Sequence, residues 1–161
     1  MTSSEMFARR DATEVEIATL IGQLVFSYSR LITDLHLCVA WHGHGKELDE
    51  YGNKAEDFAA ADLIRKIEEQ AKLIHGDKTD CFKKYQSWAF RAHGIRKLRN
   101  TIMHSRWGIE PYGRHAIAVT TPIFVDPVIE ITFTADQLRD ASIECESLSR
   151  ELNQLSKNCS L

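Results

Sequence analysis

At 161 residues, with 43% apolar and 27% charged content, the chain suits one compact domain, 1–161, and its composition excludes a disordered or fibrous protein. Twenty basic residues against twenty-three acidic ones leave a net charge of −3. That balance excludes a protein that coats nucleic acid by bulk charge, so any anion binding must be local.

Thr13-Glu14-Val15-Glu16 has the form of a capping box and predicts the start of a first helix. Apolar residues then recur at Ile17, Ile21, Leu24, Tyr28, Leu31, Leu35 and Cys38, and Val25, Ile32 and Val39 widen the stripe. Gly43 and Gly45 close that helix, and residues 43–56 read as a polar loop. Residues 1–11 and 157–161 fall outside the periodic segments and are expected to be flexible.

A second helix is predicted from about Asp57 to His75, with Leu63, Ile64, Ile67, Ala71 and Ile74 facing inward and Gly76 as its stop. A third runs from about Thr79 to Arg106 on Phe82, Tyr85, Trp88, Ala89, Ala92, Ile95 and Ile102. Gly108 would cap it. Residues 115–121 and 128–134 then switch to the two-residue period of strands, giving a β-hairpin, or a three-strand meander if Ile109 pairs too. Thr134-Ala135-Asp136-Gln137 is a second capping box. It opens a last helix on Leu138, Ala141, Cys145, Leu148, Leu152 and Leu155. The expected fold is mainly α, a bundle of about four helices with a small β-hairpin inserted before the last.

Cys38, Cys81, Cys145 and Cys159 are widely spaced, with no Cys-x-x-Cys pair. They are expected to be free thiols in a reducing compartment. No uninterrupted apolar run approaches the roughly 18 residues of a membrane span. The Met-Thr-Ser-Ser-Glu start is unlike a secretory signal, and Cys159 is misplaced for prenylation. The expected address is the cytoplasm, with no membrane partner.

Chemistry concentrates in one segment. Residues 91–106 carry Arg91, Arg96, Lys97, Arg99 and Arg106 and no carboxylate. Within it, Arg99, Asn100 and His104 place a permanently charged fork, an amide and a near-neutral proton carrier at the end of a long helix. Asn100 and His104, four apart, share a helix face, whereas Arg99 and His104 lie about 140° apart. They converge only if the helix loosens at Ser105, if the arginine stem wraps round, or if a second copy completes the site. Histidine suits general acid–base catalysis and arginine suits bidentate grip of a phosphate. The blander reading is a solvated basic strip ended by a histidine that favours the helix C-terminus.

The string Leu98-Arg99-Asn100-Thr101-Ile102-Met103-His104-Ser105-Arg106-Trp107-Gly108 resembles the HEPN superfamily, whose signature is arginine, a polar residue and then histidine after a gap of four to six. Arg99, Asn100 and His104 match with a gap of four, and Leu98 and Trp107-Gly108 look like common neighbours of the motif. The likeness in residues covers about a dozen positions. It implies a helical domain that dimerises to bring two motifs into one cleft. Many members are metal-independent endoribonucleases of toxin–antitoxin, anti-phage or RNA-processing systems, and others are inactive binders or scaffolds. One branch carries a modifiable tyrosine two residues after the histidine; Arg106 stands there, so that regulation is not expected.

The expected function is therefore a metal-independent endoribonuclease acting as a homodimer, with Arg99, Asn100 and His104 catalytic and Arg96, Lys97, Arg106 and Trp107 contacting RNA. An antitoxin or other regulatory protein is a possible partner. The alternative is a catalytically inactive helical dimer that binds RNA, a nucleotide or a protein. No cofactor and no metal are implied. His42-Gly43-His44-Gly45-Lys46 lacks the spacing of a phosphate loop, and with His36 and Asp49 it has no recognised metal-ligand pattern. The acidic residues Glu47, Asp49, Glu50, Glu56 and Asp57 read as a wet loop, and Trp88 as core.

Overall fold

The computed structural model describes residues 2–45, 48, 59–110, 112, 115–121 and 126–161. They form α1 (Ser3–Ala40), a 3-10 turn at His42–Gly45, α2 (Ala60–His75) and α3 (Asp80–His104). Strands β1 (Arg106–Ile109), β2 (Ala116–Val119) and β3 (Glu130–Phe133) follow, and then α4 (Ala135–Asn158). The architecture is the expected one, mainly helical with the β insertion before the last helix. The strands make an antiparallel meander in the order β1-β2-β3, and Ile109 does pair, opposite Ala116.

Helix boundaries follow capping chemistry. The amide of Thr2 donates to Glu5 Oε2 at 2.6 Å and the amide of Glu5 to Thr2 Oγ1 at 3.3 Å, a reciprocal box that starts α1. The expected start at Thr13 is thus too late. Residues 3–12 are almost wholly exposed, so no apolar period announces this first stretch. Thr134 and Gln137 form the second box as expected, with bonds of 2.9 and 3.2 Å. α2 stops at Gly76, which at φ 80° occupies the left-handed region that glycine adopts without strain, its amide donating to the Lys72 carbonyl. The upstream start expected near Asp57 lies outside the described residues.

Gly108 is not a cap: it sits in β1, opposite Ile117. The end of α3 is closed by side chains instead. Ser105 Oγ donates to the Thr101 carbonyl at 2.5 Å, and Trp107 Nε1 donates to the Ile102 carbonyl at 3.0 Å. These bonds satisfy carbonyls that a helix end leaves without intrahelical partners.

The residues group into two compact units, Met1–Phe26 with Lys97–Ile143 and Ser27–Arg96 with Glu144–Leu161. α1, α3 and α4 each supply residues to both. In the first unit the buried residues include Ile17, Leu20, Leu24, Ile102, Ala116, Ala118, Phe133 and Leu138. Trp107 lies against Phe133, ring centroids 5.4 Å apart.

In the second unit Leu31, Leu35, Leu63, Ile64, Ile67, Tyr85, Trp88, Leu148 and Leu152 are almost completely buried. Two of its buried aromatic side chains place their polar ends on carbonyls: Trp88 Nε1 donates to the Leu148 carbonyl and Tyr85 Oη to the Cys159 carbonyl, both at 3.0 Å. Ile74, expected inside, is 46% exposed at the last turn of α2.

The cysteine expectation fails at two positions. Cys81 and Cys159 form a disulfide, their Cα atoms 5.7 Å apart and well within bridging range. They stand 78 positions apart in sequence, so linear spacing carries no trace of the pairing. The bond, with the Tyr85 contact, ties residue 159 to α3 within the segment expected to be flexible. Cys38 and Cys145 are free thiols.

The membrane expectation also shifts. α1 contains an 18-residue window of mean hydropathy 1.2, long and apolar enough by composition to cross a membrane, with a third of the window buried. Its apolar character comes from the buried stripe plus exposed Val15, Phe26 and Leu37, rather than from one unbroken run.

Candidate functional site

α3 carries the motif to its last turn. Arg99 and Asn100 are half-buried and His104, the final helical residue, is exposed. Arg99 Nη1 donates to Asn100 Oδ1 at 3.2 Å. Adjacent helical residues do not face each other, so the bond draws the two side chains together across the helix surface.

The basic strip divides by role. Lys97 and Arg106 are exposed, on α3 and β1 respectively. Arg96 belongs to the second unit, half-buried, with its Nε shielded from solvent and without a hydrogen-bond partner among the described residues. Arg91 is committed elsewhere: its Nε and Nη1 donate to Glu144 and Glu151 at 2.7 Å each. Hydrogen bonding to Glu144 leads the effects that raise its already high pKa. Arg91 therefore serves the fold of the second unit rather than an open basic surface.

Beside the motif, within the first unit, lies a groove of about 510 Å³. The floor and walls come from Ile17, Ala18 and Ile21 of α1, Ile102 and Met103 of α3, and Trp107 to Ile109 of β1. Arg10, Glu14 and Ser105 bring its polar groups. The half-buried Trp107 ring is held by its indole bond and by Phe133, so it presents a fixed aromatic wall. Met103, 44% exposed, is one turn from both Arg99 and Asn100 and directly precedes His104. The groove and the motif thus share a border.

Sequence reasoning missed Arg10 and Glu14 because they precede the first apolar stripe. The Thr2-to-Glu5 box was the available signal that helix, and hence a wall, continued upstream. Among the described residues no group of three or more His, Cys, Asp or Glu side chains is gathered to hold a metal ion. Asp49 lies outside them.

Comparisons with family models, curated proteins and solved structures find no match to this chain.

Proposed function

We propose that the chain is a metal-independent endoribonuclease of the HEPN type, acting as a cytoplasmic homodimer. The observation that carries the reading is the exposed His104 imidazole one turn beyond a hydrogen-bonded Arg99–Asn100 pair. A histidine entombed in the core could not reach a phosphodiester; this one is open to solvent.

In the proposed reaction the ribose 2′-hydroxyl loses its proton to one imidazole and its oxygen bonds to the adjacent phosphorus. The bond from phosphorus to the 5′-oxygen breaks, and that oxygen takes a proton from an acid. The products end in a 2′,3′-cyclic phosphate and a 5′-hydroxyl. One imidazole cannot be base and acid in the same step, so His104 of a second copy supplies the other proton transfer. Such transfer contributes about 10²–10⁴-fold. Arg99 stabilises charge growing on the phosphate oxygens, and Asn100 holds Arg99 in place. Lys97, Arg106 and Arg96 draw in the RNA backbone, so binding weakens as salt rises.

The test is cleavage of RNA in EDTA by the natural chain and by His104→Ala. Loss of cyclic-phosphate products in the variant supports the reading; equal cleavage removes His104 from the mechanism. Cytoplasmic residence is tested by the redox state of Cys81 and Cys159 in cells, since a reducing compartment keeps such pairs as thiols.

One observation favours a second reading. Asn100 Oδ1 is committed to Arg99 rather than to orienting the imidazole. A catalytically silent helical module that binds RNA, a nucleotide or a protein would show association without cyclic-phosphate ends. An antitoxin or other regulatory protein belongs to either version.

A further inference from the structure

We propose that the groove between α1 and β1 receives a nucleobase carried on a ribose phosphate, the one adjoining the phosphate held at Arg99 and His104. This rests on the nuclease reading for the phosphate's place, but the groove's own chemistry points to a base. Its volume, about 510 Å³, lies within the range of roughly 300–1,000 Å³ usual for small-ligand pockets and suits one nucleotide rather than a protein segment. Its walls are apolar and one of them is aromatic. Single-stranded RNA is read by splaying bases against such rings and hydrogen-bonding their edges.

Trp107 meets the requirement for a stacking wall because it is fixed before any ligand arrives. Its N–H is bound to the Ile102 carbonyl and its ring rests on Phe133, so stacking costs no rotamer freedom. Ala18, a small residue on the opposite wall, leaves space where a larger side chain would stand. Polar readout comes from Glu14, which accepts hydrogen bonds from ring N–H or exocyclic amino groups, and from Arg10, which donates to ring or phosphate oxygens. Both are exposed on α1, one turn apart, and line the same groove.

The border residue sets the register. Met103 lines the groove and stands three and four positions after Asn100 and Arg99. A base seated against Met103 and Trp107 therefore leaves its phosphate at the edge where Arg99 and His104 lie.

The experiment uses the full chain carrying His104→Ala, which separates binding from cleavage. The Trp107 indole N–H signal is followed by NMR during titration with the four ribonucleoside 5′-monophosphates, an uncleavable 2′-O-methyl tetranucleotide and its abasic counterpart. The expected result is saturable movement of that signal with base-bearing ligands. Ala18→Phe should weaken it by about tenfold or more, the loss of one stacked base, while its melting temperature stays close to that of the parent. Glu14→Gln should reorder the preference among bases. A tetranucleotide that binds more tightly than mononucleotides makes an RNA strand the source of the base; equal affinity makes it a free nucleotide.

Equal shifts with the abasic strand, or equal binding in Ala18→Phe, overturn the proposal. Base binding without RNA cleavage by the natural chain keeps the groove and removes the nuclease; cleavage with no base in the groove does the reverse.

Discussion

The Arg99 guanidinium reaches back to Asn100 Oδ1, 3.2 Å away, although neighbouring helical positions point about 100° apart. The amide thereby holds the positive charge of Arg99 beside Asn100. A substitution that keeps the acceptor but adds charge should behave differently from one that removes it. On the nuclease reading proposed above, Asn100→Ala should lower kcat/KM for RNA cleavage by about tenfold, near the lower end of what a charge-assisted hydrogen bond contributes. Asn100→Asp should also lower RNA affinity, because a carboxylate beside Arg99 cancels its field. Fluorescence anisotropy at low and high salt measures this, and the gap between the variants should narrow as salt rises. Identical affinities at low salt would remove Arg99 from phosphate contact.

The fold was readable because most of it obeys a period. The stripes of α2, α3 and α4 and the Thr134 box are local patterns, and the buried residues on those stripes match them closely. What stayed hidden depends on partners distant in sequence. No spacing rule joins Cys81 to Cys159 or Arg91 to Glu144, because the fold alone makes them neighbours. The groove was half-visible: Trp107 was picked out beside the motif, whereas Arg10 and Glu14 sat on exposed helix that lacks an apolar stripe. Arg99, Asn100 and His104 stand out in the sequence by residue type, but the Arg99–Asn100 hydrogen bond is a side-chain choice that spacing leaves open.

Arg91 and Lys97 lie on the same helix and should respond in opposite ways. Arg91 joins α3 to Glu144 and Glu151 of α4 through two ion pairs whose side chains are about one-third exposed. Solvent screens such pairs, so Arg91→Ala should cost only about 1–2 kcal/mol in urea unfolding, with little change in RNA affinity. Lys97→Glu, on an exposed position, should leave stability within about 0.5 kcal/mol and weaken RNA binding. It should also flatten the salt dependence of binding by about one counterion. The reverse pattern would move the proposed RNA contact from Lys97 to Arg91.

The Cys81–Cys159 bond closes a long loop, its ends 78 residues apart, and fastens the chain beyond α4. By chain entropy such a crosslink contributes about 4 kcal/mol. Reduction with dithiothreitol should therefore lower the urea midpoint sharply, and Cys81→Ser with Cys159→Ser should reproduce the loss without further effect of reductant. Thiol titration in denaturant should count two groups before reduction and four after it. In the native state Cys38 should react slowly and Cys145 hardly at all, since burial pushes both thiols up, Cys145 to about 12. Four reactive thiols before reduction would remove the bond.

Alkali should unfold the second unit through two groups that keep their protons unusually long. Burial, followed by the charge of Cys38, pushes the Tyr85 hydroxyl up to about 12 from 10.0. Burial, followed by Glu144 and Glu146, pushes the Cys145 thiol up to about 12 from 9.0. Both folded values are raised, so the unfolded chain releases these protons first. The stability linked to them is complete below pH 9 and falls as pH climbs toward 12. By pH 10.5 the loss should be about 3 kcal/mol at most relative to pH 8, most of it from Cys145. Cys145→Ala should flatten the decline from pH 9 upward, while Tyr85→Phe should flatten only the part above pH 10. The latter should also lower stability by about 1 kcal/mol at pH 8, because the bond to the Cys159 carbonyl is gone. Urea unfolding across this range, followed by tryptophan fluorescence, measures both slopes. Unchanged slopes in both variants would place the alkaline transition on other groups.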